Sequence, residues 1–221
     1  MCGRFALHTP RSRIASRYFG LQLPVGDVHA RYNITPGVQI TTIHTTADAP
    51  AVFDFSHWGF RPPWAKEDAP TPINIRAEKA ATSPYFRAAF AHRRCLIPAN
   101  GRYEWRRTET GKQPYYITLK ESEPDEVVFF AGLWEPPGEG TDTCCAILTE
   151  PVSPAFAFIH DRQPVVLDSE WRWLDPELSD RETIRKVARR LDPDLLTAYR
   201  VSTKVNRPAN DDPSLIEEVE G

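Results

Sequence analysis

The sequence predicts an α+β fold: a mainly antiparallel, barrel-like β-sheet with a few peripheral helices. Three observations support this fold class. Strand-like stretches recur along the chain, helical patterns are few, and 21 scattered prolines favour short elements joined by tight turns. The length of 221 residues fits one large domain.

Eight stretches are predicted to be strands from their apolar content and their partial alternation. The alternation is imperfect, as expected for strands buried on one face and partly on the other. In chain order these strands are Cys2–Leu7, Val52–Trp58, Cys95–Pro98, Tyr115–Leu119, Val127–Leu133, Cys144–Thr149, Val165–Leu167 and Ala198–Val201.

Three segments are predicted to be helical. Arg11–Phe19 follows Thr9-Pro10, a capping residue and then a proline suited to the first helical position. Ala77–His92 has apolar residues at helical spacing but is interrupted by Ser83-Pro84. Arg181–Leu191 is amphipathic, and the basic residues near its end complement the helix dipole.

Residues 1–207 are predicted to form a single domain, since no repeat or long linker divides them. The last fourteen residues, 208–221, hold five acids and no base, which predicts a mobile, solvated C-terminal tail. No apolar run is long enough to span a membrane, and the N-terminus lacks the apolar stretch of a secretory signal. We therefore expect an intracellular, cytoplasmic protein, associated with the nucleoid if the source is bacterial.

Charge is unevenly distributed along the chain. Residues 1–112 carry 16 Lys and Arg against 8 Asp and Glu, whereas the remainder carries 11 against 22. Arginine supplies 21 of the 27 basic residues, and its forked guanidinium suits phosphates and stacks on bases. Charge alone does not establish nucleic-acid binding, because a solvated surface with uneven patches has the same composition.

Four cysteines, at positions 2, 95, 144 and 145, are expected to be free thiols. No C-x-x-C pair is present, so we expect no metal site. Cys2 differs from the other three because removal of Met1 would expose it as the N-terminal residue. It would then carry an α-amine with a pKa of about 7.7–8.0 beside a thiol with a pKa of about 8.5. Such a 1,2-aminothiol forms an imine with an aldehyde and closes it to a thiazolidine ring.

The motifs that follow Cys2 form an ordered set spanning almost the whole chain. They resemble the SOS-response-associated peptidase (SRAP) domain family, and the ordered set is far more specific than any single motif. The segments are M-C-G-R-F at the start, then Tyr32–Pro36, Trp58–Trp64, Asn74–Glu78, Arg93–Trp105, Phe130–Glu135, Cys145–Thr149, His160–Pro164 and Val205-Asn206.

The resemblance implies a protein that crosslinks its N-terminal cysteine to abasic sites in single-stranded DNA. The family also removes its own residues that precede this cysteine. By resemblance Cys2 is the nucleophile, and Asn74, Glu104 and His160 complete the catalytic site. Glu104 stands between two aromatic residues, where burial would raise its pKa towards the range useful for proton transfer. His160 would help open the closed sugar to its aldehyde, and Asn74 would orient the amine or the adduct.

Six residues are expected to contact DNA. The arginines would bind phosphates beside the lesion, where no base can be recognised, and a rigid tryptophan loop would stack on a neighbouring base. Ordinary salt bridges, for example with Glu78 or Asp161, and core packing of Trp58 are the competing explanations. The six residues are Arg4, Asn33, Trp58, Trp64, Arg76 and Arg162.

Two other functions fit parts of the sequence. A hydrolase with an N-terminal nucleophile would use the same Cys2 against amides, but it gives no role to the arginines. A non-covalent binding module for single-stranded DNA would leave Cys2 incidental. We expect a monomer whose partner is single-stranded DNA containing abasic sites, with no membrane, metal ion or organic cofactor.

Overall fold

A computed structural model describes residues 2–23, 29–123, 125–138, 142–168 and 170–220. Within these residues thirteen strands are assigned. They are β1 (Phe5–Leu7), β2 (Arg31–Ile34), β3 (Gln39–His44), β4 (Val52–Trp58), β5 (Asn74–Arg76), β6 (Arg94–Ala99), β7 (Gly101–Thr108), β8 (Gly111–Leu119), β9 (Val128–Glu135), β10 (Cys144–Pro151), β11 (Arg162–Pro164), β12 (Val166–Leu167) and β13 (Leu196–Arg200).

Five short helices accompany these strands in the described part of the chain. They are α1 (Arg11–Phe19), α2 (Ala77–Ala80), α3 (Arg87–His92), α4 (Glu170–Leu174) and α5 (Arg181–Val187). None of the described helices is long and apolar enough to cross a membrane.

The larger sheet closes on itself. Its strands follow the order β10-β4-β3-β6-β9, and β9 pairs back onto β10, so the five strands form a ring. Among the described strands the pairings are antiparallel except two, those of β10 with β4 and with β5, which are parallel. The prediction of an α+β fold on a mainly antiparallel, barrel-like sheet is therefore confirmed.

The second sheet has five strands in the order β13-β8-β7-β1-β2. One face joins the site-side cluster, a buried apolar group shared with the barrel that includes Cys2, Phe5, Trp58, Ile117 and Phe130. The other face joins the outer cluster, formed by Ala6, Tyr103, Tyr116, Val201, Val205 and Leu215. This sheet matters for function because β1 begins three residues after Cys2 and β7 carries Glu104.

The C-terminal segment corrects the prediction of a mobile, solvated tail at 208–221. As far as it is described, to Glu220, it packs on the outer cluster, where Leu215 is fully buried. Asp211 accepts hydrogen bonds from the backbone N–H groups of Tyr32 and Asn33, at 2.5 and 2.9 Å. The acidic residues predicted a solvated segment, but the apolar residues between them pack against the sheet and hold the segment there.

The helices begin and end for local reasons. Pro10 occupies the N-cap position of α1, one residue earlier than predicted, and Gly20 ends the helix with a left-handed φ of 63°. The predicted helix at 77–92 is divided into α2 and α3, as its internal proline indicated. The Asp180 side chain caps α5, which ends at Val187 because the following residues pair with the barrel, where the Leu191 N–H bonds to Val166.

Candidate functional site

Cys2 is completely buried, three residues before β1 begins. Its carbonyl oxygen accepts a hydrogen bond of 2.8 Å from Asn74 Nδ2. Asn74 is the first residue of β5, so a strand of the barrel fixes the backbone at the start of the smaller sheet. Asn74 Oδ1 is buried without a hydrogen-bond partner among the described residues, which leaves an acceptor available near Cys2.

Glu104 lies on β7 and is only 4 % exposed. Burial raises the pKa of Glu104, while the nearby His160 and Arg102 act in the opposite direction. Glu104 in turn acts on Cys2: burial first, and then the charge of Glu104, raise the pKa of the Cys2 thiol to about 12. The Glu104 carboxyl is therefore close enough to Cys2 to act on its thiol, and a catalytic role for Glu104 stays a prediction.

His160 follows a short 3₁₀ turn at Pro154–Phe156 and is about one-third exposed. Its Nδ1 atom lies 3.0 Å from the backbone N–H of Arg162 and 2.8 Å from Asp161 Oδ1. The neutral ring can accept from Arg162, and the protonated ring can donate to Asp161. These two contacts fix the orientation of the ring, which stays partly exposed to solvent.

Arg102 is a site residue that the sequence reasoning missed. It is 2 % exposed, and its charge acts on both Cys2 and Glu104. Burial lowers the pKa of Arg102, and those two groups raise it. The signal was present in the segment Gly101-Arg102-Tyr103-Glu104, because residues two apart on a strand face the same side.

Arg4 and Asn33 form one hydrogen-bonded unit. Arg4 Nη1 donates to Asn33 Oδ1 at 2.6 Å and to the Val205 carbonyl at 2.7 Å. Asn33 is 1 % exposed, and its Nδ2 donates to the carbonyls of Val205, Arg207 and Asn210. The prediction that Asn33 contacts DNA is therefore wrong for this conformation, because its side chain is occupied in holding Arg4 and the 205–210 loop.

The two tryptophans of the predicted stacking loop have different environments. Trp58 is fully buried in the site-side cluster, and its indole N–H donates to the Ile73 carbonyl at 3.0 Å. Core packing is therefore its role, and the prediction that it stacks on a base is corrected. Trp64 is 65 % exposed, with its ring edge-on to Tyr85, and its predicted contact with DNA stays a prediction.

Arg76 and Arg162 lie close together but differ in their partners. Arg162 forms a forked ion pair with Glu78, at 2.7 and 3.0 Å, and also donates to the Thr149 carbonyl. The salt bridge considered as an alternative for Arg162 is thus present. Arg76 is exposed at the end of β5, two residues after Asn74 in the same strand. Phosphate binding by either arginine stays a prediction.

The arrangement supports acid–base chemistry around a cysteine. The Asn74 amide and the Glu104 carboxyl, whose pKa is raised, act on Cys2, and the His160 imidazole acts on Glu104. Among the described residues, no group of three or more His, Cys, Asp or Glu could hold a metal ion.

Comparisons with known proteins show which proteins this chain is similar to. The sequence profile of the family described as SOS response associated peptidase (SRAP) matches residues 1–208. The abasic site processing protein YoqW of Bacillus subtilis is 38 % identical, and the alignment covers 98 % of this chain and 99 % of the relative. The abasic site processing protein YedK of Escherichia coli is 32 % identical, with 82 % and 83 % covered.

Solved structures share the fold. A protein from Bacteroides thetaiotaomicron superposes with a TM-score of 0.84 at 22 % identity, covering 99 % of this chain and all of that one. A phage-related protein from Bordetella bronchiseptica has a TM-score of 0.72 at 27 % identity, with 90 % and 94 % covered.

Proposed function

This chain belongs to the SOS response associated peptidase family, and from that premise we propose that it processes abasic sites in single-stranded DNA by bonding to them through Cys2. The relatives named abasic site processing proteins support the substrate. The observation that carries the proposal is the convergence of Asn74 and Glu104 on the residue that becomes N-terminal when Met1 is removed.

The chemistry begins with hydrolysis of the Met1–Cys2 peptide bond, which frees the α-amine. The amine attacks the aldehyde carbon of the open abasic sugar, and the resulting carbinolamine loses water to give an imine. The Cys2 sulfur then adds to the imine carbon while its proton passes to nitrogen, which closes a thiazolidine. The adduct therefore has the combined mass of protein and DNA minus one water.

The surrounding residues move the protons that these steps require. Because burial raises its pKa, Glu104 is suited both to accept a proton from the amine and to return one to the departing hydroxyl group. His160, on the exposed side, assists opening of the closed hemiacetal. Asn74 holds the Cys2 carbonyl, so rotation about the N-terminal residue is limited and its amine and thiol stay aligned.

The DNA strand is held beside the site by charge and stacking. Exposed Arg76 and the Arg4 guanidinium bind phosphates that flank the lesion, and Trp64 stacks on a neighbouring base. Arg162 contributes by breaking its ion pair with Glu78 and binding a phosphate in its place. The crosslink shields the lesion in the DNA damage response, and the same groups cleave the bond before Cys2 during maturation, as the peptidase name of the family suggests. In this proposal the protein acts as a cytoplasmic monomer, associated with the nucleoid if the source is bacterial.

Intact mass spectrometry after incubation with a single-stranded abasic oligonucleotide tests the proposal. We expect a protein that begins at Cys2 and a heat-stable adduct lighter than the sum of its components by one water. Cys2→Ala, with Met1 removed, should form only an imine that needs borohydride to be trapped. Cys144→Ala is the matched control and should crosslink like the wild type.

Two results would overturn the proposal. One is a heat-stable adduct of Cys2→Ala as abundant as that of the wild type, which would assign the bond to another amine. The other is crosslinking by protein that retains Met1, in which the nitrogen of Cys2 is an amide.

A further inference from the structure

Arg102 is a buried cation in apolar surroundings. It is 2 % exposed, and its cross-strand neighbours are Phe5 on β1 and Ile117 on β8, both members of the site-side cluster. A charge in such a position costs several kcal/mol unless it is paired and hydrogen-bonded. The location therefore needs an explanation that packing does not provide.

The usual partners of a buried arginine are missing in the described residues. No ion pair between them includes Arg102. Its Nε atom is buried and has no hydrogen-bond partner among them. Buried Arg94 is different, because its guanidinium donates to four backbone carbonyls, those of Trp173, Phe90, Ala91 and Asp175. Arg94 is satisfied as a structural residue, whereas Arg102 is not.

The strand geometry directs Arg102 towards the reactive residue. Tyr103 faces the outer cluster, so Arg102 and Glu104, on either side of it in β7, face the opposite side. That side is shared with Phe5 and with buried Cys2. Arg102 and Glu104 thus present one positive and one negative group to the same cysteine.

We propose that Arg102 is a positioning residue whose fixed charge partly offsets that of Glu104 at Cys2 and so favours the nucleophilic forms of the Cys2 amine and thiol. The inference rests on the proposed function, in which both groups of Cys2 react. Arginine suits the task because it stays protonated at any pH at which the protein is folded.

The charges that face Cys2 act in different directions. Glu104 on β7 disfavours loss of the thiol proton, and Arg102 on the same strand favours it. The backbone N–H of Arg4, in the same segment as Cys2, also favours the thiolate, and His160 acts on Glu104 from the loop before β11. A positive neighbour disfavours an ammonium group too, so Arg102 would promote the neutral, nucleophilic amine.

The test is the pH dependence of Cys2 alkylation by iodoacetamide, followed by mass spectrometry of the peptide that contains Cys2, in protein lacking Met1. In Arg102→Met, which keeps the length and loses the charge, the midpoint should move up by about one pH unit. The rate at neutral pH should then fall about tenfold. Arg102→Lys should keep the wild-type midpoint, and Arg107→Met, an exposed arginine of the same strand, is the matched control.

Crosslinking to an abasic oligonucleotide, measured in parallel, should show the same upward shift in Arg102→Met. An unchanged alkylation profile in a folded Arg102→Met variant overturns the proposal. So does a profile in Arg102→Lys that shifts as far as that of Arg102→Met, because shape and not charge would then be responsible. If Arg102→Met does not fold, Arg102→Gln takes its place under the same criteria.

Failure of the proposed function gives a different result. Wild-type protein would then not crosslink abasic DNA at all, while the alkylation profile of Cys2 would still shift in Arg102→Met.

Discussion

The two faces of β7 differ in what they bury. On the outer face, Tyr103 packs with Tyr116 and Leu215 under the C-terminal segment, and its hydroxyl donates to the Tyr32 carbonyl at 2.7 Å. On the site face, the ionisable side chains of Arg102 and Glu104 are buried beside Cys2. Packing on the outer face stabilises the fold. Burial of ionisable groups on the site face lowers stability, but it places these groups where they can take part in chemistry. Changes on the two faces should therefore have separable effects.

The largest effect is expected on the site face. Glu104→Gln keeps the shape and removes the group that exchanges a proton, so crosslinking should slow by about 10²–10⁴-fold. Single-turnover rates with an abasic oligonucleotide measure this change. Glu109→Gln, an exposed glutamate in the hairpin after β7, is the control. Equal rates for Glu104→Gln and wild type would remove Glu104 from the mechanism.

The next largest effect is expected on the outer face and concerns stability. Leu215 is fully buried, so Leu215→Ala should lower the free energy of unfolding by about 2–5 kcal/mol. Denaturant titration measures the loss, and the crosslinking rate of the folded variant should stay within about twofold of wild type. Leu195→Ala, at a half-exposed position, should cost less than about 1 kcal/mol. A similar cost for both variants would mean that the C-terminal segment is not docked.

A smaller effect is expected at the rim of the site. Arg76→Ala should weaken binding to intact single-stranded DNA by about threefold to tenfold at low salt. The slope of log K against log salt concentration should fall in magnitude by about 1, because one fewer counterion is released. Fluorescence anisotropy at several salt concentrations measures both quantities. Arg13→Ala, an exposed arginine on α1, should change neither. If Arg76→Ala binds like wild type at every salt concentration, Arg76 does not bind phosphate.

The smallest effect is a pH dependence of stability. Burial raises the pKa of Glu104, so the folded protein holds this proton more tightly than the unfolded chain. The resulting stabilisation is complete below the ordinary glutamate pKa of about 4.3 and is lost as the pH rises through the raised value. Glu104→Gln should therefore gain thermal stability relative to wild type between about pH 4 and pH 8. A constant difference across this range would contradict the raised pKa.

Helices and strands could be predicted from the sequence where they have one apolar face and end at a residue that stops the element. Strand β4 and helix α1 lie at the predicted residues, and the proline interruption between α2 and α3 was correctly identified. Strand β7 was not predicted, because Arg102 and Glu104 occupy positions where alternation would place apolar residues. A strand whose buried positions hold charged residues lacks the apolar alternation by which strands are recognised in a sequence.

The site could be predicted only in part, because the strand that carries Arg102 and Glu104 was not recognised. Motif order identified Cys2 and Asn74, which the structure joins by a hydrogen bond. Residue type alone did not show that Trp58 is buried whereas Trp64 is exposed. Nor did it show that the Asn33 side chain is hydrogen-bonded within the protein whereas Arg76 is exposed. Those distinctions depend on contacts between distant parts of the chain. Whether residues 1–207 act as a single domain stays a prediction.

The hydrogen bond from Arg4 to the Val205 carbonyl has a consequence for biosynthesis. It joins residues 201 positions apart, so it cannot form until the segment around Val205 has been synthesised. Cys2 emerges first, yet the unit of Arg4, Asn33 and the 205–210 loop is completed last. Pairing of such distant segments is slow compared with local structure. A nascent chain would thus carry Cys2 before the unit around Arg4 has assembled.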